Sequence, residues 1–163
     1  QDNPVVVEKA LELLQRCHRL DVTAPGIDYA RHIEHYWRII ETRELPCESK
    51  LLKQREPMGL VLENLTNSNT PRGMCHHDPV LENFVGSPER LYLVDWEYAA
   101  RGLPVMDYAA LQLEWNICDE KIVARTGVDM ELLSMARVFY RYECGLWNMI
   151  TQAPHRHAAV HLP

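Results

Sequence analysis

Apolar residues recur at intervals of three and four over the first part of this chain. Val7, Ala10, Leu11, Leu14 and Cys17 form one such series, and a face with that period predicts an α-helix. Asn3 followed by Pro4 reads as its N-cap and first helical position, and the series runs out near Leu20. Pro25-Gly26 marks a turn. Ile33, Tyr36, Trp37 and Ile40 predict a second helix over about 28–42, closed by Pro46. A third is expected over about 49–64, with Pro57-Met58-Gly59 leaving its middle open to a break. The texture then changes. Met74-Cys75, Phe84-Val85 and Leu91-Tyr92-Leu93-Val94 are short apolar runs between polar loops, which predicts small strands. After Pro104 the helical spacing resumes, with Asp107, Ala110, Leu111 and Glu114 on one face. A long helix is expected over about 129–150, and the polar tail Pro154-His155-Arg156-His157 is expected to fray. The pattern as a whole is α+β: mainly α, with one small β-hairpin region.

Length and composition narrow the class. The 163 residues suit a single domain around one core. A net charge of −6, with no Lys/Arg cluster, gives nucleic-acid phosphates little to bind and suits a cationic small molecule better. The five cysteines are odd in number, scattered and without CxxC spacing. That usage predicts reduced thiols and a cytoplasmic protein rather than a disulfide framework. No apolar run approaches the ~20 residues of a membrane span. Gln1-Asp2-Asn3-Pro4 lacks a signal-like basic or apolar segment, and without an initiator Met the chain reads equally as a processed product or part of a longer one. A homo-oligomer is left open.

Chemistry concentrates in Cys75-His76-His77-Asp78-Pro79-Val80-Leu81-Glu82-Asn83-Phe84, followed by Leu91-Tyr92-Leu93-Val94-Asp95-Trp96-Glu97-Tyr98. Phosphoryl transfer needs a carboxylate to orient the attacking hydroxyl and accept its proton, and oxygen ligands to hold Mg²⁺ against the phosphates. Asp78 and Asn83 lie on one loop between expected strands, and Asp95 ends the next strand. A hairpin there would bring all three to one mouth. Taken singly, HxD or a strand ending in Asp carries little information. A zinc site at His76, His77 and Asp78 is disfavoured, because three consecutive residues do not converge on one metal without unusual backbone.

The order His76-x-Asp78-x4-Asn83, then an apolar run into Asp95-Trp96-Glu97, resembles the catalytic and metal-binding segments of the aminoglycoside phosphotransferase and choline kinase superfamily. Asp107-Tyr108 and Glu114-Trp115-Asn116 extend the resemblance to choline and ethanolamine kinases, as does Cys144-Gly145-Leu146-Trp147, in which Cys144 replaces a Trp. The resemblance spans roughly residues 5–150 and implies the C-terminal lobe of a protein-kinase-like fold. It implies Asp78 as catalytic base, His76 as a buried prop of the catalytic loop, and Asn83 and Asp95 as Mg²⁺ ligands. Glu114, with Trp147, Tyr140 and Glu97, would form the pocket for a cationic amino alcohol. Cation–π contacts make aromatic walls sensible there, although Tyr140 and Trp147 at helical spacing also suit plain core packing. ATP is the implied co-substrate. Its site would lie mostly in an N-terminal lobe with no counterpart here, since all seven glycines are isolated, so this chain alone is expected to be inactive. Thiamine- or aminoglycoside-type kinases and a non-catalytic amine- or partner-binding lobe are the alternatives.

Overall fold

The structure, a computed structural model, describes residues 4–47, 49–87 and 89–151. The Asn3 cap and the 154–157 tail lie outside them. Three helices come first: α1 (Pro4–His18), α2 (Tyr29–Thr42) and α3 (Ser49–Thr66). Four short strands follow, β1 (Gly73–Cys75), β2 (Phe84–Ser87), β3 (Arg90–Leu93) and β4 (Ala100–Gly102), with one 3₁₀ turn at Leu81–Asn83. The chain then runs through α4 (Pro104–Glu114), α5 (Asp119–Thr126) and α6 (Met130–Thr151).

The helices form where the apolar period placed them. Val7, Ala10, Leu11, Leu14 and Cys17 are all buried along α1. Asp28 caps α2 by accepting a hydrogen bond from the Arg31 N–H at 3.0 Å. α4 departs from the two-faced pattern: every residue from Val105 to Gln112 is buried, as a helix covered on all sides requires. It is the central element, packed against β1, α1, α5 and α6. A second apolar cluster joins α2, α3 and α6 through Trp37, Ile40, Leu51, Met58, Tyr142 and Leu146. There Trp37 Nε1 donates to the Tyr142 hydroxyl at 2.8 Å, so the buried indole N–H is satisfied.

Three features differ from the sequence-based expectation. α3 continues through Pro57, because Leu51 and Met58, on either side of the proline, are buried in the second cluster and tertiary packing outweighs the lost hydrogen bond. α5 was not anticipated; it is short, and Gly127 stops it in the left-handed region at φ 73°. The β region is two sheets rather than one hairpin. β2 and β3 pair antiparallel, Phe84 opposite Leu93 and Val85 opposite Tyr92. β1 pairs instead with β4, Gly73 opposite Gly102 and Cys75 opposite Ala100. β4 also takes the chain before α2 on its other edge, through Ile27 N–H to Arg101 O and Arg101 N–H to Pro25 O.

Gly102 is required by proximity. A Cβ there would stand 2.5 Å from the Tyr29 hydroxyl and 2.6 Å from His77 Nε2. The Tyr29 oxygen accepts from Leu103 N–H at 2.9 Å and lies 3.0 Å from His77 Nε2. Gly102→Ala is therefore expected to destabilise the fold by about 2 kcal/mol, the order seen for overpacking. Chemical denaturation checks it, and an unchanged midpoint would contradict the tight approach.

Candidate active site

Two strand ends and one helix build the loop 76–83. His76 leaves β1 fully buried, and its Nε2 donates to Val94 O at 2.9 Å. Its ring meets Trp96 edge-on at 4.8 Å between centroids. His77 follows at φ 66°, a left-handed conformation uncommon for residues other than glycine, although histidine adopts it more readily than most. The group that holds it there is Asp107 on α4. Its Oδ2 accepts from His76 N–H and its Oδ1 from His77 N–H, both at 2.8 Å. His18 Nε2, from the end of α1, closes on the same Oδ2 at 2.8 Å. Burial alone would raise the Asp107 carboxyl, but the His18 bond and the two N–H donors outweigh it and hold it below its ordinary value. Burial likewise pushes His77 below the usual histidine range. A neutral ring fits its neighbour: with the Tyr29 oxygen taken by Leu103 N–H, the hydroxyl hydrogen turns to His77 Nε2.

Asp78 comes next, half-buried at the mouth. Asn83, at the end of the 3₁₀ turn, grips it: Nδ2 donates to Asp78 O at 2.8 Å and to Asp78 Oδ2 at 3.1 Å. With Nδ2 so committed, the carbonyl Oδ1 of Asn83 points away from Asp78. Asp95 arrives from the facing strand. Val94 N–H donates to Asn83 O at 2.9 Å, and Asp95 then turns with φ 63° and is exposed. The Tyr98 hydroxyl is raised by burial first, then by Glu97, Asp78 and Asp95. The structure thus joins Asp78 directly to Asn83, sets Asp95 one residue beyond the backbone bond to Asn83, and buries His76 against Val94 O. Mg²⁺ calls for hard oxygen donors, and the Asn83 carbonyl with the Asp95 carboxylate supplies them, so these residues fit the ion.

Beside this mouth lies a cavity of about 560 Å³. Its wall includes Asp78, Glu97, Glu114, Tyr140 and Trp147, all singled out from sequence. Tyr140 donates a long hydrogen bond, 3.4 Å, to Glu114 Oε1; burial holds its hydroxyl far above the normal range and therefore protonated. Among the lining residues that the sequence reading did not assign to the pocket are His32, Tyr36, Tyr98 and Glu143. His32 Nε2 and Glu143 Oε1 pair at 3.1 Å, and the Tyr36 ring sits 4.5 Å from His32 and 6.0 Å from Trp147. The helical period of α2 reaches His32 and Tyr36, but no local signal tells that α6 crosses there.

Residues 1–131 match the profile of the phosphotransferase enzyme family. The chain belongs to that family. Among curated proteins none matches significantly. Among solved structures, this chain resembles a choline/ethanolamine kinase family protein from Mesorhizobium loti, at 22% identity and TM-score 0.79, with 96% of this chain and 58% of that one covered. It resembles the choline kinase LicA from Streptococcus pneumoniae at 26% identity and TM-score 0.76, covering 90% and 55%. An ethanolamine kinase from Plasmodium vivax aligns at 15% identity and TM-score 0.66, covering 95% and 56%. The shared fold is protein-kinase-like, and the chain spans a little over half the length of these structures. Among the described residues, no helix is long and apolar enough to cross a membrane.

The loop's anchorage makes the fold acid-sensitive in a defined direction. Both shifted groups have folded values below their ordinary ones, so the unfolded chain binds protons that the folded chain refuses, and stability rises with pH. Stability should be full above about pH 6.5, decline as His77 titrates in the unfolded chain, and decline again below about pH 4 through Asp107. Unfolding midpoints measured from pH 8 to pH 3 check this; a flat profile would refute it. Asp107→Asn replaces one carboxylate oxygen by an NH₂ group, which meets a loop N–H donor head-on while the remaining oxygen still accepts, and should cost on the order of 3 kcal/mol, read from the same denaturation curves.

Proposed function

We propose that this protein transfers the terminal phosphoryl group of ATP to the hydroxyl of a small cationic amino alcohol, choline or ethanolamine. The observation that carries the reading is the single cavity whose wall includes both Asp78 and Glu114. A substrate only a few bonds long can present its hydroxyl to one carboxylate and its ammonium to the other. The similar structures, a choline/ethanolamine kinase family protein, a choline kinase and an ethanolamine kinase, support the same substrate class. A LicA structure in complex with AMP supports a nucleotide.

In this reading Asp78 receives the acceptor hydroxyl, its carboxylate plane held by the Asn83 amide. The hydroxyl oxygen bonds to the γ-phosphorus, the bond to the β,γ-bridging oxygen breaks with its electron pair leaving on ADP, and the hydroxyl proton passes to Asp78. Asn83 and Asp95 would hold Mg²⁺, which when bound neutralises phosphate charge. His76 holds the loop against β3, and Asp107 holds the loop's backbone, so the base is in place before substrate arrives. The outward face of the β2–β3 hairpin, with Val85, Tyr92 and Val94 exposed beside Asn83 and Asp95, offers apolar surface for a nucleobase. Glu114 replaces water around the ammonium, which cannot be desolvated cheaply otherwise.

In the intact protein, Asp78→Asn should lower kcat by ~10²–10⁴-fold with little change in amine KM. Asp95→Ala should instead abolish magnesium-dependent nucleotide binding, followed by calorimetry. Small, equal effects of the two changes would argue against these roles. Glu114→Gln should raise the amino-alcohol KM, and a far better turnover of thiamine or an aminoglycoside would displace the amino-alcohol assignment.

A further inference from the structure

The cavity wall holds aromatic rings and carboxylates, and the two classes are not equally available to a ligand. His32, Tyr36 and Trp147 touch in succession, with centroid separations of 4.5 and 6.0 Å and planes tilted by 59° and 49°. Tyr36, between the other two, is buried, as is Tyr140, so little of their ring faces is open to a quaternary ammonium, which needs a face to itself. The Tyr29 hydroxyl is held between Leu103 and His77, and that of Tyr140 turns to Glu114. The carboxylates are arranged differently. Glu114 on α4 and Glu143 on α6 reach the cavity from two helices, and Asp78 joins them from the loop. All three line the cavity together with Cys144, a thiol with no π-face to offer, and burial first, then Glu143, pushes that thiol up. One histidine, His32, pairs with Glu143 through Oε1 at 3.1 Å.

We infer that Glu143 is a second anionic contact for the substrate's head group, and that the site selects a protonated amine bearing N–H donors over a quaternary ammonium. The inference rests on the amino-alcohol reading above and narrows it. An N–H⁺ donor makes short, charge-assisted hydrogen bonds to carboxylate oxygens. A trimethylammonium head carries the same charge but no donor, and its methyl groups hold the carboxylates at a distance. Glu143, already oriented by His32, and Glu114, oriented by Tyr140, supply acceptors on two sides of one small cation.

The test is calorimetric titration of ethanolamine and of choline into the intact protein with ADP and magnesium, beside steady-state turnover of both. Ethanolamine should bind about tenfold tighter than choline, the order of one charge-assisted hydrogen bond. Glu143→Gln should cut that ratio several-fold, and Glu143→Asp should retain part of it, whereas a purely structural role would weaken both amines by one factor. Choline binding as tightly as ethanolamine overturns the inference, as does an unchanged ratio in Glu143→Gln or failure of both amines to bind. The native ratio depends on no variant. Ethanolamine bound with this selectivity but never phosphorylated would sink the phosphotransfer reading and leave this one standing. Efficient turnover with choline preferred would do the reverse.

Discussion

One carboxylate, that of Asp107, organises everything around the site. It is fully buried, and such a group persists only when every lone pair it presents is answered. Here the answers come from three parts of the chain: the end of α1 through His18, and two successive backbone N–H groups of the loop after β1. Because α4 is buried all round, its carboxylate is as fixed as the core itself. The left-handed turn at His77 follows from that anchorage, and with it the direction in which Asp78 leaves the backbone. A polar network of this sort is demanding while incomplete and rigid once complete; here rigidity falls where a proton acceptor needs it.

The same logic explains why catalytic and binding residues can be separate in sequence and adjacent in space. Asp78 and Asn83 come from a loop, Asp95 from a strand end, Glu114 from the last turn of α4, and Tyr140, Glu143 and Trp147 from one stretch of α6. Helices α4 and α6 make the most extensive pairing in the protein, joined near the cavity by Ala110, Tyr140 and Cys144. The substrate-side wall is therefore core on one face and cavity on the other. Each aromatic residue there serves packing and lining together, which is why helical spacing alone could not tell the two roles apart.

What could be read from the sequence follows from how local each feature is. Asp78 and Asn83 lie on one loop and touch each other directly, so their spacing carries the contact. Asp95 is two residues past the strand that pairs with the segment after Asn83, so its place beyond a strand end was legible too. The helices were legible wherever one face is apolar, and α3 shows that tertiary burial can carry a helix past a proline. β4 was not legible: Ala100-Arg101-Gly102 has no alternation, and Gly73 and Gly102, opposite each other, are required by the approach of His18 and of Tyr29 and His77 from distant parts of the chain. Glu143 and His32 were invisible for another reason. Each looks like an ordinary solvent-facing residue until the crossing of α2 and α6 sets them 3.1 Å apart.

The pairing of β1 with β4 has a consequence for how the site moves. Residues 76–99 leave and return through adjacent strands, so they form one closed excursion fastened at its neck. Within it the β2–β3 hairpin, the Asp78–Asn83 clasp and the His76–Val94 bond tie the two halves to each other. Outside it, Asp107 secures only the departing strand. Phe84 against Trp115, and Leu91 and Leu93 against the core, fasten the hairpin as well, so the excursion is suited to opening and closing as one cooperative unit whose free energy is shared between the neck and this packed face. Asp78, Asn83 and Asp95 would then be lost or regained together, and hydrogen exchange across residues 76–99 would show a single opening event.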